Sequence, residues 1–227
     1  MPYRRGAIKR LFRSLMIPLF LIIHISPITH ILTLIVSVMS ADFLKSKGNY
    51  RDLIAFQKTE CIYDITFWFV KHWIGTHSRD RTDDQMIQAA RSGKQNIAEG
   101  SAAAATSRET EIKLFNVAKS SLQELLLDYE DYLRVRNLAL WTPAHPRYAG
   151  LVDVCRRNND KEYYAGLLPK CTPEVAANMA ITLIHQADFL IGRLIERAKK
   201  DFLEHGGIRE EMTRERLRFR RGTSDEQ

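Results

Sequence analysis

The chain has 227 residues, of which 45% are apolar, so it is large enough to bury the core of one ample domain or one and a half. The net charge of +7 suggests nucleic-acid binding, but residues 1–40 contribute +5 of it and leave only +2 for the rest. Cys61, Cys155 and Cys171 are odd in number and widely spaced, which favours a reducing compartment and disfavours a zinc site.

The first forty residues form a hydrophobic N-terminal segment with three possible interpretations. Residues 15–38 are long and apolar enough for a membrane anchor, and basic residues precede them. A cleaved signal is also possible, although the sequence before Ala41 lacks the small residue expected three places before the cleavage. Alternatively, translation starts at Met39, and the protein is then expected in the cytoplasm.

Residues 41–136 are predicted to hold the first three helices of a four-helix bundle. The first runs from Arg51 to His77, with Lys58 and other charged residues largely off its apolar face. The second starts near Asp83, after a capping box formed by Thr82 and Gln85, and ends near Ala104. Small residues dominate a seam of alternating steps of four and three along it: Met86, Ala90, Gly93, Ile97, Gly100 and Ala104.

The third helix is predicted to open with a capping box of Thr106 and Glu109. Because the preceding turn is short, the second and third helices are expected to pack as antiparallel neighbours. A seam of small residues lets the partner backbone come close, although each interior glycine costs roughly 1 kcal/mol of helix stability. Tertiary contacts must therefore stabilise the second helix.

The remainder is predicted as an irregular insertion, a long helix and a basic tail. Residues 137–172 contain Trp-Thr-Pro and His-Pro breakers, with short helices possible at 147–157 and 161–168. The fourth long helix occupies 173–205, because Thr172 and Pro173 suit its start and a Gly-Gly pair its end. In the tail, 206–227, residues 208–221 are predicted as a short helix and 222–227 as disordered.

A set of residues between Tyr50 and Arg136 resembles a known bacterial family. The set comprises Asp84-Gln85, Ala89-Ala90, Ser92, Asn96-Ile97-Ala98-Glu99-Gly100, Arg108-Glu109, Ala118, Ser121, Glu124 and Leu125. It is similar to the four-helix-bundle proteins first met as products of intervening sequences in bacterial 23S rRNA genes. That family also includes the accessory protein of diversity-generating retroelements. Gly93-Lys94 and Ser120 depart from the pattern and, with the long C-terminal part, point to the subgroup with a C-terminal suffix.

The residue pattern and the resemblance together predict an all-α fold: an antiparallel up-and-down four-helix bundle with an inserted irregular region and a C-terminal helical suffix. The resemblance also implies a homo-oligomeric ring, often a pentamer. The family supplies no known catalytic residues to carry over, and the function of the suffix subgroup is uncharacterised.

The candidate interaction residues lie at the helical hairpin. Asn96 and Glu99 are one turn apart, and Glu99 is expected to find a donor at Arg108, Ser120 or Ser121. These groups form either a recognition site or a polar network that fixes the register within the bundle or between subunits. The full predicted set is Gly93, Asn96, Ile97, Glu99, Gly100, Arg108, Ser121 and Glu124.

No enzymatic or metal site is predicted. His185 and Asp188 are three apart, but the paired Glu-x-x-His motifs of carboxylate-bridged metal sites are missing from the sequence. The sequence also lacks a Gly-x-Ser-x-Gly motif and a Gly-rich phosphate loop. We therefore expect no cofactor and no small-molecule substrate.

The sequence favours a non-catalytic, oligomeric scaffold or binding protein. The alternative is an RNA- or DNA-binding accessory factor, similar to the reverse-transcriptase partner in the resembled family. Its partner would be nucleic acid or a nucleic-acid-processing protein. In that alternative the tail arginines would contact the nucleic acid, and a ring would present one such set per subunit. These residues are Arg214, Arg216, Arg218, Arg220 and Arg221.

Overall fold

Four long helices dominate the part of the chain that the structure describes. The computed structural model describes residues 49–74 and 81–224, and the secondary structure in them is entirely helical. The long helices are α1 (Ile54–Phe69), α2 (Thr82–Ala103), α3 (Arg108–Val135) and α6 (Pro173–His205). The shorter ones are α4 (Tyr148–Arg157), α5 (Lys161–Leu167) and α7 (Ile208–Ser224). The predicted all-α class is confirmed.

Each long helix packs mainly against two others. α2 packs on α3, α3 on α6, α6 on α1, and α1 on α2. The short helices lie against this assembly, with α4 on α6 and α5 on α1. The predicted N-terminal segment, 1–40, lies outside the described residues, which all belong to one compact unit, Ser46–Gln227.

Helix α1 is bounded by irregular helical turns on both sides. A 3-10 turn, Tyr50–Asp52, precedes it, and a π-helical turn, Val70–Ile74, continues it. The expected extension to His77 lies partly outside the described residues. The assignment of Lys58 to the polar face is wrong, because its side chain is only 3% exposed and reaches across the core to α4.

Helices α2 and α3 form a tight antiparallel hairpin along the predicted small-residue seam. Every seam residue from Met86 to Ala104 is buried. Gly93 lies opposite Leu122 and Gly100 opposite Phe115, so the residue numbers run in opposite directions on the two helices. A Cβ atom at either glycine would come within 2.8 Å of the facing side chain, which is why this register requires glycine.

Both predicted capping boxes are wrong by one residue. Thr82 is already helical, and the cap position belongs to Arg81, whose φ of 41° places it in the left-handed region. At α3 the cap is Ser107, whose Oγ accepts a hydrogen bond from the Thr110 amide at 3.1 Å. Thr106 instead donates its hydroxyl to the Ala103 carbonyl within the turn.

Helix α6 starts and ends as predicted. The Thr172 hydroxyl accepts a hydrogen bond from the Val175 amide, and Pro173 takes the first helical position. Gly206, with φ of 78°, closes the C-terminal end. The segment Pro173–Arg218 is long and apolar enough to cross a membrane, but 61% of its most apolar window is buried in the protein, as in a core helix. The tail helix α7 continues to Ser224, beyond its predicted end.

Candidate functional site

The predicted hairpin residues split into a buried seam, a short polar network and exposed side chains. Gly93, Ile97 and Gly100 belong to the seam and contribute only packing. Asn96 donates its side-chain amide to the Ser92 carbonyl at 2.9 Å and to the Ser92 hydroxyl at 3.2 Å. The Ser121 hydroxyl on α3 donates to the same Ser92 Oγ at 3.0 Å. Ser92 therefore connects the two helices.

Glu99 does not join this network. Its side chain is exposed, and it makes no ion pair within the described residues. Its expected donor Arg108 pairs instead with Glu111 on the same helix, at 3.2 Å, and Ser120 is exposed. The expected Glu99 contacts are therefore wrong, because the hairpin register places Ser121 beside Ser92, about two helical turns away from Glu99.

A polar groove of about 870 Å³ runs along the hairpin above the network. Ser92, Ser121 and the predicted Glu124 line it, together with two further acids, Asp84 and Asp128, and one cation, Arg81. Burial raises the pKa of Asp128, and the charges of Asp131 and Glu124 raise it further. With three acids and one arginine in its lining, the groove is net acidic and offers acceptors to polar or cationic groups.

The tail arginines lie on α7, away from this groove. Arg218 pairs with Glu215 at 2.7 Å, one helical turn away. Arg214, Arg216, Arg220 and Arg221 are also exposed. Glu210, in the first turn of α7, accepts a hydrogen bond from the Gly207 amide at 2.5 Å. Helix α7 thus presents an exposed, arginine-rich surface.

His185 and Asp188 do not form a metal site. Asp188 accepts hydrogen bonds from Lys119 at 3.1 Å and Gln123 at 3.4 Å, so its carboxylate joins α6 to α3. His185 is exposed one turn earlier on α6. Within residues 49–74 and 81–224, no group of three or more His, Cys, Asp or Glu side chains could hold a metal ion.

Sequence reasoning missed a buried polar cluster beneath α4 and α5. The Lys58 ammonium donates to the Cys155 carbonyl at 2.7 Å, and burial lowers the pKa of Lys58. Burial raises the pKa of both Cys61 and Cys155 to about 12, so these thiols stay protonated and unreactive at neutral pH. The only indication in the sequence was that Lys58 lies next to the apolar face of α1. Lysines in that position are common on exposed helices, so this pattern alone does not predict burial.

Sequence reasoning also missed the role of Asn178 on α6. Its side chain accepts a hydrogen bond from the Trp141 amide at 2.7 Å and donates to the Ala139 carbonyl at 2.9 Å. The Trp141 indole donates to Glu174 at 2.9 Å. These contacts fix the insertion against α6 and shape a second cleft beside it, lined mainly by apolar side chains.

Comparison with known proteins identifies no similar protein. A scan against family models finds no matching family, and searches of curated proteins and of solved structures also find no match.

Proposed function

We propose that this chain is a non-catalytic, oligomeric scaffold or binding protein of the bacterial four-helix-bundle family that its Asn-Ile-Ala-Glu-Gly segment resembles. In this proposal α1, α2, α3 and α6 form an antiparallel up-and-down bundle, the 137–172 region is the insertion and α7 is part of the suffix. The pairwise packing of the four helices and the opposite directions of α2 and α3 support that arrangement.

The proposal is supported mainly by the contacts that the hairpin residues make. Gly93, Gly100 and Ile97 pack against α3, and the Ser92 hydroxyl links Asn96 to Ser121. These side chains hold two helices together and leave no activated nucleophile or acid-base pair among themselves. Packing of the two helices explains these side chains without a catalytic role.

The seam residues are buried between α2 and α3 of the same subunit. We therefore propose that self-association uses the outer surface. Large apolar side chains remain exposed on α3 and α6: Leu127 is 61%, Val135 64% and Leu203 83% exposed. Burying such residues against a second copy is favourable by roughly 25 cal/mol per Å² of apolar surface. We propose a closed ring, with a pentamer as the expected form.

Chromatography with multi-angle light scattering tests this assembly. At tens of micromolar, the full chain and a protein beginning at Met39 are expected to give the same multiple of the subunit mass. Leu127→Ser and Leu203→Ser, made separately, are expected to lower that mass if their surface lies in the interface. A single-subunit mass for both wild-type proteins would overturn the proposal.

The proposed location is the cytoplasm, with translation starting at Met39. Fractionation of native cells tests it: the protein is expected in the supernatant after high-speed centrifugation. Recovery in membranes, released by detergent but not by high salt, would instead support the anchor through residues 15–38.

Nucleic-acid binding is the second candidate function, favoured by the exposed arginines of α7. Fluorescence anisotropy with a labelled RNA and a labelled DNA duplex should then show affinity falling steeply as salt rises from low to physiological. Replacing the five tail arginines by Ala should flatten that slope. The control is Arg156→Ala with Arg157→Ala, which removes two exposed arginines of α4, outside the tail. A slope near zero in the intact protein would exclude this function.

A further inference from the structure

Helix α7 is exposed along most of its length. Every side chain from Met212 to Arg218 is exposed, and none of the described α7 side chains belongs to the hydrophobic core. Within the described residues, α7 makes no extensive contact with another helix. An isolated helix of this length is only marginally stable in water, because most helices in proteins are stabilised by packing one face against a partner. Helix α7 is therefore a surface that a partner would stabilise.

One face of this basic helix carries arginines that have no acid one turn away. Arg209, Arg216 and Arg220 follow the helical period and lie on the same side of α7, with Met212 between the first two. No Asp or Glu stands three or four positions before or after any of these three arginines. We name Arg209, Met212, Arg216 and Arg220 the arginine stripe.

The other three arginines of α7 lie on its opposite face, where glutamates accompany two of them. Arg218 pairs with Glu215 at 2.7 Å, and Arg214 has glutamates three and four positions before it. Arg221 shares this face. The two faces therefore carry equal numbers of arginines, but only the arginine stripe lacks glutamates at helical spacing.

The groove along the α2–α3 hairpin has the complementary charge. Its lining holds three acids, Asp84, Glu124 and Asp128, against one cation, Arg81. None of the three acids forms an ion pair within the part of the chain that the structure describes. Burial, followed by the charges of Asp131 and Glu124, raises the pKa of Asp128, so a cation entering this hairpin groove would relieve an existing cost.

The spacing of the charges also matches. Glu124 and Asp128 are four residues apart on α3, and Arg216 and Arg220 are four residues apart on α7, about 6 Å along either helix. Two arginine–carboxylate pairs can therefore form side by side, and such pairs are among the stronger polar contacts in proteins. Ile87 adds apolar lining to the groove, as Met212 adds it to the stripe.

Helix α7 and the hairpin groove lie toward opposite ends of the subunit. Lys119 of α3 contacts Asp188 of α6 at 3.1 Å, and Trp141, which follows α3, contacts Asn178 nearer the start of α6. The two helices therefore run in opposite directions. The C-terminal half of α3, which carries two of the groove acids, lies toward the start of α6, whereas α7 follows its end.

The stripe cannot reach the groove of its own subunit. Asp188 precedes Gly206 by 18 residues, or about 27 Å of helix, and Glu124 lies about 8 Å farther away, five residues beyond Lys119. From the start of α7, Arg220 extends only about 18 Å. The shortfall is larger than an arginine side chain, so an α7 that enters the groove must come from another copy.

We propose that the arginine stripe of one copy docks into the hairpin groove of a second copy. This inference rests on the proposed self-association and names its two surfaces. Because the surfaces differ, every copy offers one of each, and the contact is head-to-tail. Contacts of this kind generate a ring when the rotation between copies closes.

Charge reversal tests the contact by chromatography with multi-angle light scattering on the full chain. The groove variant combines Asp84→Lys with Glu124→Lys, both at exposed positions, and the stripe variant combines Arg209→Glu, Arg216→Glu and Arg220→Glu. Each is expected to raise the Kd of self-association at least about tenfold, because like charges then face each other. Circular dichroism checks the helix content, and Glu124→Lys alone replaces the groove variant if that content falls.

The matched control reverses the opposite face of α7, with Arg214→Glu, Arg218→Glu and Arg221→Glu. It changes the net charge by the same amount as the stripe variant and should keep the wild-type mass. An equimolar mixture of the groove and stripe variants should regain a mass above that of either alone, because a Lys groove then meets a Glu stripe and the two unchanged surfaces meet each other.

The outcomes separate this inference from the proposal on which it rests. If the wild type assembles and both reversed variants keep its mass, the docking is refuted while self-association stands; a wild type of single-subunit mass refutes self-association itself. An equal loss in the control, or no recovery in the mixture, also overturns the docking. Loss of RNA binding without a change of mass in the stripe variant would assign the stripe to nucleic acid instead.

Discussion

The Cδ2 atom of Leu122 lies where a Cβ at Gly93 would meet it at 2.8 Å, so helices α2 and α3 approach each other at a glycine. Leu122 is fully buried and cannot move away without disturbing the core. The close approach is therefore a property of the subunit itself. A Gly93→Leu substitution should therefore disrupt the hairpin within the subunit.

Gly100→Ala tests the close approach with the smallest possible change. The added methyl would lie 2.8 and 2.9 Å from two atoms of the Phe115 ring and 3.3 Å from the Leu114 Cβ. We expect a loss of about 1–3 kcal/mol in the free energy of unfolding, measured by urea titration, despite the better helix propensity of alanine. The matched control is Gly192→Ala in α6, where the nearest atom is the Lys119 ammonium at 3.8 Å. That variant should be up to about 1 kcal/mol more stable than wild type; equal effects in both variants would contradict the seam assignment.

Asn178→Ala tests the attachment of the insertion to α6. The substitution leaves the Trp141 amide and the Ala139 carbonyl without their present partner, and Asn178 is 2% exposed. We expect a loss of about 2–4 kcal/mol in thermal or urea unfolding and an altered Trp141 fluorescence. Asn116→Ala is the control, since Asn116 bonds only a carbonyl of its own helix in an exposed position. A cost no larger than that of the control would show that the insertion is held by other contacts.

Alkaline pH should destabilise the protein through its buried thiols. The folded protein raises the pKa of Cys61 and Cys155 from 9.0 to about 12, so above pH 9 the unfolded chain loses these protons first. Stability therefore falls as pH rises from about 9 towards 12, with a limiting slope of about 1.4 kcal/mol per pH unit for each thiol. Lys58 opposes this trend, because burial lowers its pKa and its cost disappears as it loses its proton.

The measurement is urea unfolding between pH 8 and 10.5. Cys61→Ala and Cys155→Ala should each make the fall in stability shallower, whereas Cys171→Ala, at a partly exposed position, should change it less. Parallel pH curves for wild type and all three variants would rule out the buried thiols as the cause.

Asp128→Asn is expected to stabilise the protein at neutral pH. Burial, followed by the charges of Asp131 and Glu124, raises the pKa of Asp128, so its charged form is disfavoured in the folded state. Its destabilising effect is present at pH 7 and disappears as pH falls towards the unfolded value near 4. After allowance for solvent screening, we expect a gain of less than about 1 kcal/mol, or roughly 1–3 °C in Tm.

Calorimetry at pH 7 and pH 4 distinguishes stabilisation due to loss of the Asp128 charge from stabilisation that does not depend on pH. The advantage of Asp128→Asn over wild type should shrink at pH 4. Glu109→Gln is the control, since a hydrogen bond from Lys113 lowers the pKa of Glu109 and its removal should give no stabilisation. A constant advantage of Asp128→Asn at both pH values would exclude its charge as the cause.

Features that depend on residues close together in the chain could be predicted from the sequence alone. The steps from Met86 to Ala104 identified the buried edge of α2, because helical periodicity places those residues on one side. Thr172 and Pro173 located the start of α6, because capping needs only the local turn. The one-residue errors at Thr82 and Thr106 arose where the conformation of a turn, rather than residue preference, selects the cap.

The burial of polar side chains and their hydrogen-bond partners became apparent only from the packing of the helices. Lys58 and Cys155 are 97 residues apart in sequence, and nothing near Lys58 reveals that a carbonyl of α4 will receive its ammonium. Glu99 was expected to contact Arg108, Ser120 or Ser121, but the hairpin register places Ser121 beside Ser92, about two helical turns from Glu99. Since hydrogen bonds between distant segments depend on the relative positions of whole helices, local pattern cannot specify them.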